Sequence, residues 1–158
     1  MIRGRYLSSK DNTSDALALR LVIPEFTAER DSFDQMAIYA VVYDDDDSPC
    51  GTGRIYIDDD SHFRMDYLGV LPEKRGRYIG DLVARMLLFR AMDLNANGIC
   101  VSVPKSCVRF FARYGFKPTR ESESIYEMFV SREDLRLEGS CSKGKNGTCG
   151  GNCETCKQ

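Results

Sequence analysis

The chain has 158 residues, is 42% hydrophobic and carries a formal net charge of −2. That length and composition fit one main domain with a real core. The near-neutral balance argues against a general nucleic-acid surface, and no apolar run approaches the roughly 20 residues of a membrane span.

The start, Met-Ile-Arg-Gly-Arg-Tyr-Leu, is charged and lacks the apolar core of a signal peptide, so a cytoplasmic protein is expected. Asp15–Phe26 reads as a helix running toward Pro24. Met36–Tyr43 is a strongly apolar strand, Asp44–Pro49 a turn and Cys50–Ile57 the returning strand. The acidic runs Asp44–Asp47 and Asp58–Asp60 read as solvated turns between strands, with a cation site as the lesser alternative. His62–Val70 is a third strand, with Arg64, Asp66, Leu68 and Val70 on one face by the period of two. A long helix follows, with Ile79, Leu82, Val83, Met86 and Leu87 at helical spacing and an Asp81–Arg85 pair on another face. Asn95-Ala96-Asn97-Gly98 stops it. Ile99–Val103 is a short buried strand, Lys105–Tyr114 a helix started by Pro104 and ended at Gly115, and Ile125–Val130 a last strand. Antiparallel strands followed by one strand–helix–strand crossover give a mixed α/β (α+β) domain over residues 1–135.

The segment Leu68-Gly69-Val70-Leu-Pro-Glu-Lys-Arg75-Gly76-Arg77-Tyr78-Ile79-Gly80 carries the clearest functional signal. A strand–loop–helix of this kind aims unpaired backbone N–H groups and the positive helix end at one spot. A phosphate or pyrophosphate fits there, and Arg75 and Arg77 can add charge.

Two motifs in this order resemble the GCN5-related N-acetyltransferase (GNAT) superfamily. The first is Arg75-Gly76-Arg77-Tyr78-Ile79-Gly80 after a strand ending in Val70. The second is Arg109-Phe110-Phe111-Ala112-Arg113-Tyr114-Gly115-Phe116. The resemblance covers about residues 15–130. It implies a central, mostly antiparallel, splayed sheet flanked by helices, and acetyl-CoA as acyl donor. It also implies pantetheine pairing with the backbone of Leu68 and Val70, and pyrophosphate on the N–H groups of Arg75–Gly80. Within the superfamily, Arg20…Pro24-Glu25-Phe26 and Asp31…Asp34-Gln35 look similar to acyl-homoserine-lactone synthases, though no S-adenosylmethionine site is legible. Tyr78 departs from the pattern, standing where the family has glycine. A Tyr backbone still offers its N–H but is strained if φ must be positive.

Direct acyl transfer needs a neutral amine, a proton acceptor and a donor for the leaving thiolate. Where the family often has a general-acid Tyr, this chain has Phe111. Tyr114 substitutes only if its hydroxyl reaches the sulfur; packing at the helix end is the competing reading. Cys107, near a helix start, is a candidate to carry a proton or an acyl group, against a role as a small buried thiol. Ser106 is adjacent. Asp66 is the best-placed carboxylate for a base, with a structural pair to Arg64 competing, and Glu25 follows. His62 reads as an exposed turn residue. The expected partner is a small-molecule or peptide amine, and a dimer is compatible with the sequence. A second reading, favoured by Tyr78 and Phe111, is a CoA-binding metal or redox sensor with weak catalysis.

Composition shifts near residue 136. Residues 136–158 hold five glycines and four cysteines. Cys141, Cys149, Cys153 and Cys156 close on a Cys-x-x-Cys, a set suited to zinc or an iron–sulfur cluster. Disulfide chemistry and free thiols are the alternatives, and any metal there would be structural or regulatory.

Overall fold

The computed structural model describes residues 1–26 and 29–137. Seven strands form one sheet in the order β1-β2-β3-β4-β5-β7-β6. They are β1 (Arg3–Leu7), β2 (Ile38–Tyr43), β3 (Pro49–Ile57), β4 (Phe63–Val70), β5 (Gly98–Pro104), β6 (Lys117–Glu121) and β7 (Ile125–Ser131). All neighbours are antiparallel except β4 and β5, which run parallel. The expected mixed α+β fold with a mostly antiparallel sheet is therefore present.

Helices cover the two faces separately. Helix α2 (Ile79–Asp93) buries Ile79, Val83, Ala84, Leu87, Leu88 and Ala91 on one face. Helix α1 (Ser14–Val22) packs Ala16 and Leu19 over the other, against Tyr39, Val41 and Tyr43. Close approach of α2 to the sheet demands glycines. A Cβ on Gly51 would stand 2.6 Å from Ile79 Cγ2, and one on Gly53 2.6 Å from Leu87 Cδ1. At about 0.8 kcal/mol per buried methylene, the α2 face is a main source of stability.

Four expectations change. Helix α1 stops at Val22 rather than Phe26, because Ile23 precedes Pro24 and turns extended at ψ 117°. The helix expected over Lys105–Tyr114 is a 3₁₀ turn (Lys105–Cys107) followed by a short α3 (Val108–Ala112). Asp44 is buried, not solvated. Its side chain pairs with Lys74 at 2.7 Å and accepts from the Asp46 and Ser48 N–H groups.

The fourth change concerns the face of β4. Thr52 pairs with Gly69 and Arg54 with Asp66, so Gly53 alone faces Tyr67 and Leu68. Tyr67 takes φ +47° to absorb the extra residue. This β-bulge resets the alternation. Leu68 and Val70 face α2, whereas Arg64 and Asp66 face the opposite side. The single face expected from Arg64 to Val70 does not exist.

Candidate active site

Strands β4 and β5 pair at only two positions, Phe63↔Ile99 and Arg64↔Cys100, and then diverge. A cavity of about 650 Å³ opens in the fork. Leu68, Gly69 and Val70 line one wall, Val103 and Pro104 the other, and the cavity reaches Gly76, Tyr78, Ile79 and Gly80 at the start of α2.

The turn into α2 has the shape expected of an anion cradle. Gly76 has φ +79°, and a Cβ there would meet nothing within 4 Å. At Gly80 a Cβ would meet only Val70 Cγ2, at 3.6 Å. Tyr78 caps the helix in the left-handed region, at φ +59° and ψ +16°. The departure from glycine therefore falls on a backbone position where a side chain costs about 1–2 kcal/mol. The first N–H groups of α2 lack intrahelical acceptors and face this turn. A diphosphate fits these features.

The two arginines of the loop are already partnered. Arg75 Nε donates to the Val70 carbonyl at 3.0 Å, and its Nη2 lies 2.9 Å from a Glu25 carboxylate oxygen. Arg77 lies 3.5 Å from Asp45. Glu25 thus closes onto the turn into α2 rather than standing free over the cleft.

Three candidate catalytic residues fall in different places. Cys107 lines the cavity, half-buried, with Sγ 4.0 Å from Ser106 Oγ. Tyr114 is buried at 2% exposure and donates its hydroxyl to Asp81. Burial, then that bond, push its phenol above the ordinary range. Helix packing, the competing reading, describes its surroundings. Asp66 lines the cavity, but not with Arg64 as partner: both its oxygens accept from Arg54, at 2.8 and 2.7 Å. Phe111 is buried against Phe110 and Phe116. His62 is exposed at the turn, as expected.

Arg54 is the residue sequence reasoning missed. It is 1% exposed and holds Asp31 and Asp34 as well as Asp66. Asp34 in turn takes Arg20 through both guanidinium nitrogens, at 3.0 and 2.8 Å, and a Tyr39 hydroxyl. Burial raises the Asp34 carboxyl, but the bonds from Arg20 and Tyr39 outweigh it and hold it well below the usual range. Asp31 is lowered chiefly by its bond to Arg54. Tyr67, at the bulge, lies under both guanidiniums, 4.0 Å from Arg20 and 5.0 Å from Arg54. The network therefore ties the 3₁₀ turn Ser32–Gln35, α1 and the bulge to one point beneath the cleft. The sequence signal was a lone arginine in an apolar strand, with Asp31 and Asp34 unmatched elsewhere and Asp66 read as a partner for Arg64.

The cysteines at 141, 149, 153 and 156 lie outside the described residues, as does the expected 136–158 unit beyond residue 137.

The fold is shared with solved structures, among them an acyl-CoA N-acyltransferase and an N-acetyltransferase. A structure of ElaA from Escherichia coli aligns with TM-score 0.71 at 16% identity, covering 83% of this chain and 100% of that one. An acyl-CoA N-acyltransferase from Pseudomonas aeruginosa aligns with TM-score 0.72 at 15% identity, covering 83% and 100%. A PaiA N-acetyltransferase from Thermoplasma acidophilum, in complex with coenzyme A, aligns with TM-score 0.63 at 13% identity, covering 83% and 99%. At these identities the likeness speaks for the fold.

The model of the acetyltransferase (GNAT) domain matches residues 36–118, over half of the chain. The protein belongs to the GNAT acetyltransferase family and is an acyltransferase. Among the described residues no helix is long and apolar enough to cross a membrane.

Proposed function

We propose that this enzyme moves an acetyl group from acetyl-CoA directly to an amine of a small molecule or peptide. One observation carries the reading: the β4–β5 fork opens a cavity that runs without interruption onto an anion-shaped helix start. Acetyl-CoA supplies an activated thioester carbonyl. The turn Gly76–Gly80 would hold its diphosphate by backbone N–H groups, and Leu68 and Val70 would present backbone partners to the pantetheine arm. Transfer then rests on positioning the amine against the carbonyl. Cys107 is the cavity residue in place to give a proton to the leaving sulfur. Tyr114 does not itself line the cavity and its hydroxyl is taken up by Asp81, so it has no part in this reading. The four C-terminal cysteines enter no step of it.

Calorimetry with acetyl-CoA tests the donor. Gly76→Asp and Gly80→Asp place negative charge at the cradle, where an added Cβ would meet nothing within 4 Å at Gly76 and only Val70 Cγ2, at 3.6 Å, at Gly80. Binding should fall at least a hundredfold with the circular dichroism of the domain unchanged. Unchanged affinity in both variants refutes the cofactor assignment.

A further inference from the structure

Beyond the last β4–β5 pair, Arg64↔Cys100, the next residues on that face are Asp66 on β4 and Ser102 on β5. Both line the cavity, one on each arm of the fork. Asp66 has both oxygens on the Arg54 guanidinium. Ser102 is wired differently. Its hydroxyl donates to Glu127 Oε1, and its oxygen accepts from Arg64 Nη2 at 2.7 Å. Arg64 Nη2 also lies 3.1 Å from Glu127 Oε2. The hydroxyl proton is thus oriented away from the cavity, and a second lone pair on Oγ is left for a donor inside it. Glu127 is paired with Ser102 across β5 and β7, and 37% of its side chain is exposed.

We propose that Ser102 and Glu127 form the proton relay for the acceptor amine, a role that rests on the acetyl-transfer reading above. The ammonium form of the acceptor gives a proton to Ser102 Oγ while the Ser102 proton passes to Glu127 Oε1. The freed nitrogen lone pair forms the N–C bond to the thioester carbonyl, and the C–S bond breaks. Cys107 protonates the leaving sulfur, and the second nitrogen proton, shed after the N–C bond forms, restores the Cys107 thiol. Glu127 returns the first proton to solvent through its exposed edge. Arg64 fixes the direction of the relay by occupying the other lone pair of Ser102. Ser102 is the catalytic residue, because it reaches the cavity; Glu127 acts through it.

The test measures thiol release from acetyl-CoA by the full chain, with butylamine, an ammonium ion at neutral pH, as acceptor and with water alone. Calorimetric acetyl-CoA affinity is measured beside it. Glu127→Gln keeps the size and hydrogen-bonding reach of the side chain but removes the base. This variant and, separately, Ser102→Ala should each leave acetyl-CoA affinity within about twofold of wild type and cut release to butylamine at neutral pH by about a hundredfold or more. The residual rate should rise about tenfold per pH unit as hydroxide takes over. Glu127→Asp should recover part of the rate with a pH profile like wild type. A structural clamp predicts weaker folding or binding with the pH profile unmoved, and that result overturns the relay. Wild-type rates in both variants overturn it too, as does a wild-type chain that binds acetyl-CoA yet releases thiol to neither acceptor. Failure of the wild-type chain to bind acetyl-CoA would instead overturn the transfer reading.

Discussion

Replacing Arg54 by Met isolates the buried charge network. The guanidinium is 1% exposed and holds three carboxylates, so its loss strands negative charge beneath the cleft. Breaking a buried pair from one side costs about 3–5 kcal/mol. Two facts place this case at the lower end. Asp34 keeps Arg20 at 2.8 Å, and Asp31 and Asp66 have side chains 39% and 33% exposed, so both can rehydrate. We expect a loss of about 3 kcal/mol by urea titration, or on the order of 10 °C in Tm. A double-mutant cycle with Asp66→Asn sharpens the test. Once Arg54 is gone, Asp66 is an unpaired charge, so neutralising it should cost at least about 1 kcal/mol less than it does in wild type. A loss below about 1 kcal/mol, or a cycle additive within about 0.5 kcal/mol, would refute the view that these charges act as one unit.

Three other predictions follow from single features. Asp31 and Asp34 titrate below their unfolded values, so the stability they contribute is full above about pH 4 and drains as pH falls through the depressed folded values; urea midpoints should be flat from pH 5 to 7 and drop below 4, and a midpoint that rises on acidification contradicts this. Tyr114→Phe removes the bond to Asp81 and should cost about 1–2 kcal/mol while leaving acetyl-CoA affinity and thiol release near wild type; loss of turnover would return Tyr114 to the chemistry. Thr52 is 2% exposed, and its hydroxyl has no hydrogen-bond partner among the described residues, so Thr52→Val should stabilise by up to about 1 kcal/mol in the same titration.

Local signals made the site's frame legible. The apolar run to Val70, the Gly-bearing basic loop and the 3.6-residue period of Ile79–Leu87 are contiguous in the chain, and the structure keeps all three. Strands β1 and β6 escaped notice because their residues are nearly all exposed and carry no alternation to detect. The bulge at Tyr67 was illegible for a different reason. It is set by the register of β4 against Gly53, a partner 14 residues away, and a one-residue slip inverts every face beyond it. Arg54 and the Ser102–Glu127 pair share that origin. Each joins residues far apart in sequence, and a strand pattern read alone cannot say which distant carboxylate will face a given side chain.

The sheet also has three edges, not two. The outer ones, β1 and β6, carry Arg3 and Arg5 on one side and Lys117, Pro118 and Arg120 on the other, charges and a proline that discourage a foreign strand from adding on. The third edge lies inside, where β4 and β5 part after two pairs. Asp66 on β4 and Pro104 on β5 guard it in the same way. Width adds to that protection: a slot between two strands of one sheet admits a slender, flexible chain end-on and excludes a pleated strand with side chains on both faces.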